Sequence, residues 1–273
     1  MIIREVKAKS IITKSNLPEA DYVVNPYIGC THACIYCYAS FMKRFTGHEE
    51  EWGTFLDIKV NAPDLIPEKT NKYFGKYLYL SSVTDPYLPH EKKYQLTRRI
   101  LEKLIPLGPH IGIQSKSDLI LRDMDLLQQF PVCEAGLTMT TLNDTVRKEI
   151  EPHTASVQKR IEALKELKKS GLKTYVFIAP ILPMVTDWKK IVLETQPFVD
   201  RYLFENLNMY RMATQNIYRW IKKFHPELFK EYQSIFGKRS TYWDHVELEI
   251  RGFCEDHDID GRIFFHHAKE RKP

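Results

Sequence analysis

The stretch Gly29-Cys30-Thr31-His32-Ala33-Cys34-Ile35-Tyr36-Cys37-Tyr38 places three cysteines within eight residues, with the spacing C-x3-C-x2-C. Thiolates this close in sequence can face one metal centre, and their odd number leaves a coordination position open. An iron–sulfur cluster is held by cysteine thiolates, and a four-iron cluster ordinarily takes four of them. Three thiolates would therefore hold such a cluster with one iron free to bind something else.

A zinc site is the main alternative for these cysteines. Structural zinc takes four ligands, usually arranged as two pairs. The chain has five cysteines, but Cys133 and Cys254 are too isolated in sequence to form a second pair. His32 lies between two of the cysteines in the same tight loop, which makes it a poor fourth ligand. The spacing therefore favours the cluster, and we expect Cys133 and Cys254 to be buried free thiols.

The C-x3-C-x2-C spacing resembles that of the radical SAM enzymes, and the aromatic Tyr36 just before the last cysteine fits the same pattern. The resemblance implies a 4Fe–4S cluster held by Cys30, Cys34 and Cys37, whose free iron chelates the amino and carboxylate groups of S-adenosylmethionine. Reductive cleavage of that molecule would give a 5'-deoxyadenosyl radical, which abstracts a hydrogen atom. Tyr36 would lie near the adenine; ordinary packing is the alternative role for this ring and for Tyr38.

The composition is that of one large domain, or of one domain with an extension: 273 residues, 43% of them apolar. No run of about 18 or more apolar residues occurs, so we expect no transmembrane helix. The first residues, Met1 to Lys7, lack the apolar stretch and cleavage site of a signal peptide, which predicts a cytoplasmic protein. The net charge of +5 is compatible with an anionic partner without requiring one.

Strand-like and helix-like segments alternate after the cysteine loop. Alternating or continuous apolar runs predict six strands: Phe55–Val60, Tyr77–Val83, Ile111–Ser115, Glu134–Met139, Thr174–Ala179 and Tyr202–Asn206. Apolar residues at helical spacing predict three helices: Leu96–Leu104, Val157–Leu167 with Gly171 at a C-cap position, and Asp187–Gln196 capped by Thr186 or Asp187. This order favours an α/β fold with a parallel sheet. The count fits the partial (βα)6 TIM-like barrel that is usual in the resembled enzymes, with chemistry at the carboxyl ends of the strands.

The pattern changes after about residue 210. Residues 213–236 and 240–257 have helical patterns rich in aromatic residues, and Pro226 divides the first of them into two helices. We predict a core of residues 1–210, which contains the cluster loop, and a helical C-terminal extension of residues 211–273 packed on it. The run Ile263-Phe264-Phe265 is a candidate for a last short strand. We expect the aromatic residues to form a core rather than a platform for stacking bases.

Four short polar motifs stand where predicted strands end. They are Ser81–Pro89 with Glu91 close behind, Gln114–Ser117 followed by Leu121–Leu127, Leu137–Thr141 leading to Glu151, and Ala179–Pro183 leading to Asp187. Each motif is weak alone. Together with the cysteine triplet, in this order, they resemble the branch of the radical SAM enzymes that contains spore photoproduct lyase, over about residues 20–205.

These motifs supply candidate contacts for S-adenosylmethionine. Lys116 follows a strand and can meet the carboxylate as a flexible point charge, and a lysine in this motif does so in the resembled branch. Ser82 could donate to the amino-acid part or the ribose, and Thr140 is a candidate for the ribose. The alternatives are a surface lysine and a serine bonded to the backbone. Asp85 could orient a loop or accept a hydrogen bond from substrate.

One departure from the resembled branch concerns the return of a hydrogen atom. Spore photoproduct lyase uses a cysteine at a strand end near its substrate, whereas Tyr77–Val83 contains none, and neither Cys133 nor Cys254 falls at that place. Thymine-dimer repair by the same mechanism is therefore not expected, and the sequence identifies no catalytic residue. Tyr79 and Tyr87 are candidates for a radical role, with no signal that distinguishes them.

Two classes of function remain. The first is a radical SAM enzyme, lyase-like or transferase-like, that acts on a nucleic acid or nucleotide, or else on a peptide or small metabolite, with flavodoxin or ferredoxin as electron donor. The second is a non-catalytic module that binds zinc or nucleic acid through the cysteines and the basic, aromatic C-terminal helices. The ordered motifs at the strand ends favour the enzyme. No membrane partner is expected, and the sequence indicates no oligomeric state.

Overall fold

The computed structural model describes residues 1–209, 212–237 and 240–266. Its strands are β1 (Ile2–Val6), β2 (Ile12–Lys14), β3 (Tyr22–Val24), β4 (Tyr27–Ile28), β5 (Phe55–Lys59), β6 (Tyr77–Leu80), β7 (His110–Ser115), β8 (Cys133–Thr138), β9 (Lys173–Ile181), β10 (Arg201–Asn206) and β11 (Gly261–Ile263). Its α-helices are α1 (Glu91–Tyr94), α2 (Leu96–Leu104), α3 (Met124–Leu127), α4 (Asp144–Ile150), α5 (Val157–Lys169), α6 (Trp188–Thr195), α7 (Met212–Phe224), α8 (Phe229–Ile235) and α9 (Tyr242–Asp256). A 3-10 helix, Tyr38–Phe45, follows the cysteines directly.

The main sheet has eight strands in the order β11-β10-β9-β8-β7-β6-β3-β2. Every neighbouring pair is parallel except β2 and β3 at one edge. Parallel neighbours require crossover connections, and helices lie in the connections from β6 through β10. Eight of the nine residues of β9 are at least half-buried, as expected for a parallel strand covered on both faces. The predicted α/β fold with a parallel, partial (βα)6 barrel is confirmed.

The first predicted strand forms, but it belongs to a different sheet. Phe55–Lys59 lies at the centre of a separate three-stranded sheet, β1-β5-β4. The place next to β6 in the barrel is taken by Tyr22–Val24, which pairs with it in parallel. An alternating pattern predicts that a segment is a strand but not which strand it pairs with. A three-residue strand is too short to show that pattern, which is why the sequence did not reveal β3.

The three predicted helices are confirmed close to their expected bounds. Helix α5 runs two residues further than predicted, and Gly171 follows its C-cap with φ of +86°, a conformation that glycine adopts without strain. Asp187, one of the two candidate caps, is the N-cap of α6: its side chain accepts a hydrogen bond from the backbone N–H of Lys190 at 3.0 Å.

The C-terminal segment packs on the barrel, and one of its elements lies inside the main sheet. The aromatic residues of α7 and α8 form a core of their own around Trp220 and Tyr232, and this core includes Tyr36 of the cysteine loop. A 3-10 turn at Pro226–Leu228 separates the two helices. Strand β11 pairs with β10 and extends the barrel sheet. The predicted boundary at 210–211 and the last seven residues of the predicted extension lie outside the described residues.

Two smaller expectations concern the other cysteines and the membrane. Cys133 and Cys254 are buried free thiols, as predicted. In the part of the chain that the structure describes, no helix is both long and apolar enough to cross a membrane.

Candidate active site

A cavity of about 470 Å³ opens where the barrel strands reach their carboxyl ends. Its wall includes the three cysteines of the C-x3-C-x2-C loop and the side chains of Tyr36, Ser82 and Lys116. These six residues come from the loop after β4, the loop after β6 and the loop after β7. Parallel strands end together at one edge of a sheet, which is why segments far apart in sequence meet here.

The cysteine loop is folded tightly against the small sheet. Gly29, just before Cys30, has φ of +89°, and a Cβ there would lie 2.6 Å from the carbonyl oxygen of Phe55. No other residue fits this position without moving the backbone. Thr84 donates to the Gly29 carbonyl at 2.7 Å, and the Ile35 N–H donates to the Ile150 carbonyl at 3.0 Å. The loop is thus attached at both ends to the barrel.

All three loop cysteines are free thiols, one buried and two half-buried. Burial raises the pKa of Cys30, of Cys34 and of Cys37. Lys116 lowers the pKa of the latter two but does not offset burial. Without a metal these groups are therefore protonated thiols at neutral pH. A metal centre would bind their thiolates and release the protons, so its binding would be pH-dependent.

The donor set fits an iron–sulfur cluster better than a single metal ion. Within residues 1–209, 212–237 and 240–266, no group of three His, Cys, Asp or Glu side chains is placed to hold one metal ion. Zinc would require four donors around one centre. In an iron–sulfur cluster the thiolate ligands bind different irons, so three separate thiols on one loop can each bind one iron. Ser81 Oγ, also on the cavity wall, is buried and has no hydrogen-bond partner among the described residues.

Lys116 is fixed at the end of β7 by the carboxylate of Asp85. The Lys116 N–H donates to Asp85 Oδ2 at 2.9 Å, and the Ser115 hydroxyl donates to Oδ1 at 2.7 Å. The Tyr87 N–H donates to Oδ1 at 2.8 Å, and His32 Nδ1 lies 3.3 Å from Oδ2. Burial alone would raise the pKa of Asp85, but His32 and these donors outweigh it and lower the pKa to about 2. Of the two roles considered for Asp85, the structure shows the orienting one.

The Lys116 ammonium group remains a cation despite its burial. Burial opposes its charge, but Cys34 and Glu151 favour it more strongly, and the pKa of Lys116 is raised. Its Nζ lies 5.7 Å from the centroid of the Tyr36 ring. The carboxylates of Asp85 and Glu151 are engaged elsewhere, by His32 and Arg160. A positive charge is therefore held at the cavity wall beside the cysteine loop.

Ser82 lines the cavity beside a residue that the sequence did not single out for this site. The Ser82 hydroxyl accepts from Asn25 Nδ2 at 3.3 Å, and its carbonyl accepts from the Tyr38 hydroxyl. Ser81 has φ of +68°, which is strained for any residue but glycine and turns the chain sharply at the end of β6. The unpartnered Ser81 hydroxyl is thus a second polar group at this strand end.

Thr140 lies behind the wall rather than on it. Its hydroxyl is buried, donates to the Ala179 carbonyl at 3.1 Å, and lies 3.4 Å from the Tyr36 hydroxyl. The Tyr36 hydroxyl donates to Glu151, which also accepts from Arg160 at 2.5 Å. Burial would raise the pKa of Glu151, but Arg160 and Lys116 outweigh it and lower it. The structure therefore brings Tyr36, Ser82 and Lys116 to one cavity and leaves Thr140 beneath it; a ribose contact for Thr140 stays a prediction.

The far end of the cavity is lined by three tyrosines that lie over glycines. A Cβ at Gly136 would lie 2.3 Å from the Tyr175 ring, and one at Gly112 would lie 2.7 Å from Tyr77. Tyr79, the third, donates to Gln114 Oε1 at 2.8 Å, and its hydroxyl lies 3.3 Å from that of Tyr175. Of the two tyrosines considered for a radical role, Tyr79 lines the cavity. Tyr87 is buried beside Arg122, and it does not line this cavity.

Sequence reasoning considered His32 only as a metal ligand, and it assigned no separate role to Ser81, Glu151 or Arg160. Glu151 in fact caps the end of α4 and is fully buried. Two signals were present: His32 and Tyr36 each stand inside one interval of the cysteine spacing. Neither signal indicates which carboxylate meets which loop residue, because the partners are more than fifty residues apart in sequence.

Comparison with known proteins finds relatives in sequence and structures of similar fold. An uncharacterized protein of Methanocaldococcus jannaschii is 41% identical over 92% of this chain and 97% of its own length. A radical SAM Nalpha-GlyT isomerase of Pseudomonas phage M6 is 28% identical over 80% of this chain and 46% of its own length. Spore photoproduct lyase complexed with dinucleoside spore photoproduct has a TM-score of 0.68 at 15% identity, over 97% of this chain and 82% of its own.

A further solved structure, Streptococcus suis SuiB bound to S-adenosylmethionine, has a TM-score of 0.54 at 12% identity, over 90% of this chain and 50% of its own. At such identities these structures establish the shared fold. The sequence model of the radical SAM superfamily matches residues 24–194, which include the cysteine loop and barrel strands β6–β9. The chain is therefore a radical SAM enzyme, a member of the radical SAM superfamily.

Proposed function

We propose that this enzyme binds one 4Fe–4S cluster through Cys30, Cys34 and Cys37 and cleaves S-adenosylmethionine. The cluster would supply the electron for reductive cleavage, which yields a 5'-deoxyadenosyl radical that takes a hydrogen atom from the substrate. The observation that carries the proposal is the meeting of three free thiols, a fixed cation and an aromatic ring on one cavity wall.

Each wall residue then has a role that its surroundings support. Lys116 meets the carboxylate of S-adenosylmethionine, because its ammonium group is held at the wall and its neighbouring carboxylates are engaged elsewhere. Tyr36 packs against the adenine, since its hydroxyl is fixed from behind and its ring faces the cavity. Ser82 donates to the amino-acid part or the ribose. Thr140 supports Tyr36 from beneath, where it lies within reach of the Tyr36 hydroxyl.

The size of the cavity supports the proposal that the substrate inserts only a small group into it. Ligand-sized pockets span roughly 300–1,000 Å³, and 470 Å³ lies toward the low end of that range. S-adenosylmethionine would occupy much of it. The three tyrosines at the far end offer aromatic surface and hydroxyls to a flat group.

We propose a nucleic acid or nucleotide as the substrate, with its base as the inserted group. The fold shared with spore photoproduct lyase and the relation to the phage isomerase support this class by analogy. Arg201, which also lines the cavity, is paired with Glu134 and Asp260, so it is not available to a phosphate. We therefore expect the phosphates of such a substrate to stay outside the cavity. A peptide or small metabolite is the alternative class.

The reductant and the cellular location complete the proposal. A flavodoxin or ferredoxin would deliver the electron. The free state of all five cysteines supports a reducing, cytoplasmic environment.

The deciding experiment compares cysteine variants after anaerobic reconstitution with iron and sulfide. We expect the wild type to be brown, to hold about four irons, and to release 5'-deoxyadenosine from S-adenosylmethionine with dithionite. Cys30→Ala should abolish the release, whereas Cys133→Ala, at a buried cysteine outside the cavity, should keep it. A Cys30→Ala variant that still releases 5'-deoxyadenosine would overturn the proposal. A colourless wild type that holds zinc would favour the non-catalytic module.

The substrate class has its own test. We expect a single-stranded oligonucleotide or a dinucleoside to raise the rate of 5'-deoxyadenosine formation above the rate with S-adenosylmethionine alone. A peptide mixture of equal concentration serves as the comparison. Acceleration by the peptides and not by the nucleic acid would reject the proposed class and favour the alternative.

A further inference from the structure

We propose that two buried carboxylates, Asp85 and Glu151, clamp the cysteine loop at two points and act as positioning residues for its thiols. Each carboxylate contacts one ring side chain inside one interval of the C-x3-C-x2-C spacing. Asp85 lies 3.3 Å from His32 Nδ1 in the first interval, and Glu151 accepts a hydrogen bond from the Tyr36 hydroxyl in the second. The inference rests on the proposed role of the cysteines as cluster ligands.

The first clamp joins the loop to the ends of β6 and β7. His32, which is 2% exposed, has Nδ1 at 3.3 Å from Asp85 Oδ2. The same carboxylate holds the Ser115 hydroxyl and the Lys116 N–H at 2.7 and 2.9 Å. One carboxylate thus fixes the backbone that carries the cation and contacts the interval between Cys30 and Cys34.

The second clamp joins the loop to α4 and α5. The Tyr36 hydroxyl donates to Glu151, whose other oxygen accepts from Arg160 Nη2 at 2.5 Å. Glu151 and Arg160 are both almost fully buried. The backbone of the preceding residue, the last of α4, adds a further attachment, from Ile35 N–H to the Ile150 carbonyl at 3.0 Å. The interval between Cys34 and Cys37 is held here.

Placement of this kind has a physical consequence for a metal centre. Groups that orient the ligands of a metal are worth roughly 10- to 100-fold in affinity or activity, although they never touch the metal. Loss of a clamp would leave all three thiols in place but let the loop sample other conformations. The cluster would then be held less tightly. Removal of the Asp85 carboxylate would also free the backbone of Lys116, whose distance from the loop would no longer be fixed.

The chain contains a matched control for the second clamp. Glu91 is a fully buried carboxylate that accepts from the Tyr27 hydroxyl and from Arg122 Nη2 at 3.0 Å. Tyr27–Glu91–Arg122 therefore repeats the chemistry of Tyr36–Glu151–Arg160, but none of the three lines the cavity. Glu91→Gln and Glu151→Gln should cost similar stability. Tyr27 packs with Cys30 at the start of the loop, whereas Tyr36 lies between two of the cysteines, so the second variant should affect the cysteine loop more.

The test begins with the apo protein, so that it does not depend on a loaded enzyme. Hydrogen exchange of residues 30–40 should be faster in Glu151→Gln and Asp85→Asn than in wild type, and faster than in Glu91→Gln, whose Tyr27 packs with Cys30 alone among the three cysteines. Tyr36→Phe and His32→Gln, which leave both carboxylates in place, serve if the carboxylate variants do not fold. The proposal is overturned if exchange in residues 30–40 rises equally in Glu91→Gln, or in none of the variants.

A second readout separates positioning from general stability. After reconstitution, the clamp variants should hold less iron, and the change in the electron paramagnetic resonance signal on adding S-adenosylmethionine should require roughly 10- to 100-fold more of it. In a double-mutant cycle, Tyr36→Phe combined with Glu151→Gln should cost less than the sum of the two. Additive effects would reject the clamp. A wild type that binds no cluster would reject the proposed function, while the exchange result would still decide on the clamp.

Discussion

Lys116 carries the sharpest expectation for a single side chain. Its ammonium group stands 5.7 Å from the Tyr36 ring at the cavity wall. A hydrogen bond to a charged group contributes about 1.5–3 kcal/mol, which corresponds to roughly 10- to 100-fold in affinity. Lys116→Met should therefore weaken binding of S-adenosylmethionine by that factor, measured by calorimetry on reconstituted protein. Lys92→Met, at an exposed lysine, is the control. Equal affinity in both variants would mean that Lys116 does not meet the ligand.

Asp85 gives a prediction about acid stability in the apo protein. Its pKa is lowered from 3.8 to about 2 in the folded state, so the carboxylate stabilises the fold while it is ionised. This shift corresponds to about 2 kcal/mol, fully present above the unfolded pKa and lost as the pH falls through the folded one. The stability gap between wild type and Asp85→Asn should thus be largest at pH 7 and shrink between pH 4 and 2. Urea unfolding at several pH values measures it; a gap independent of pH would contradict it.

The candidate residues of the site show what the sequence can reveal about it. Lys116 and Ser82 were found because each follows an apolar run, and the ends of parallel strands meet at one edge of a sheet. Thr140 satisfies the same rule, yet it points beneath the wall, because position after a strand does not fix the direction of a side chain. His32 and Glu151 could not be paired from sequence, since the partners of both come from distant elements.

Among the barrel strands, β8 yields a prediction about packing. Gly136 faces the Tyr175 ring, and a Cβ there would lie 2.3 Å from it. Gly136→Ala should overpack the barrel and cost roughly 1–3 kcal/mol in the free energy of unfolding, measured by chemical denaturation. Tyr175→Leu in the same protein should recover part of that cost.

Gly252 in α9 is the control for that substitution. A Cβ there has no heavy atom within 4 Å, and the residue lies within the helix. Gly252→Ala should stabilise the protein by roughly 0.5–1 kcal/mol, because alanine is the better helix former. If both alanine variants changed stability in the same direction, Tyr175 would not be packed against Gly136 as tightly as the geometry indicates.

Strand pairing marks the limit of what the sequence predicts about these elements. Five of the six predicted strands occupy the barrel, because their apolar runs are long enough to be recognised and lie in a strand–helix order. Phe55–Lys59 has an equally good pattern and joins the small sheet instead. That sheet carries the cysteine loop, so the misplaced strand is the one that supports the site: its Phe55 lies against Gly29.

The barrel as a whole is open between β2 and β11, the two edges of its sheet. The C-terminal segment nevertheless reaches across this gap. Arg262 in β11 is ion-paired with Glu19, in the loop between β2 and β3. Beyond β11, the side chain of Asn206 accepts from the His266 N–H at 2.8 Å and donates to its carbonyl at 3.3 Å. Residues on both sides of the gap, Ala20 and Phe264 among them, line the cavity. The segment is therefore a side wall of the active site.

This arrangement predicts a local effect from breaking the ion pair, without a global one. Exposed ion pairs contribute about 0–1 kcal/mol and are screened by salt, so Glu19→Lys and Arg262→Glu should scarcely change the free energy of unfolding. Each should instead speed hydrogen exchange in residues 261–266, because β11 pairs on one side only. The double variant, which restores opposite charges in exchanged places, should return exchange toward the wild-type rate at low salt. If exchange in that segment were unchanged in both single variants, the segment would be held by its contacts with β10, which include those of Asn206. The ion pair would then play no part in closing the barrel.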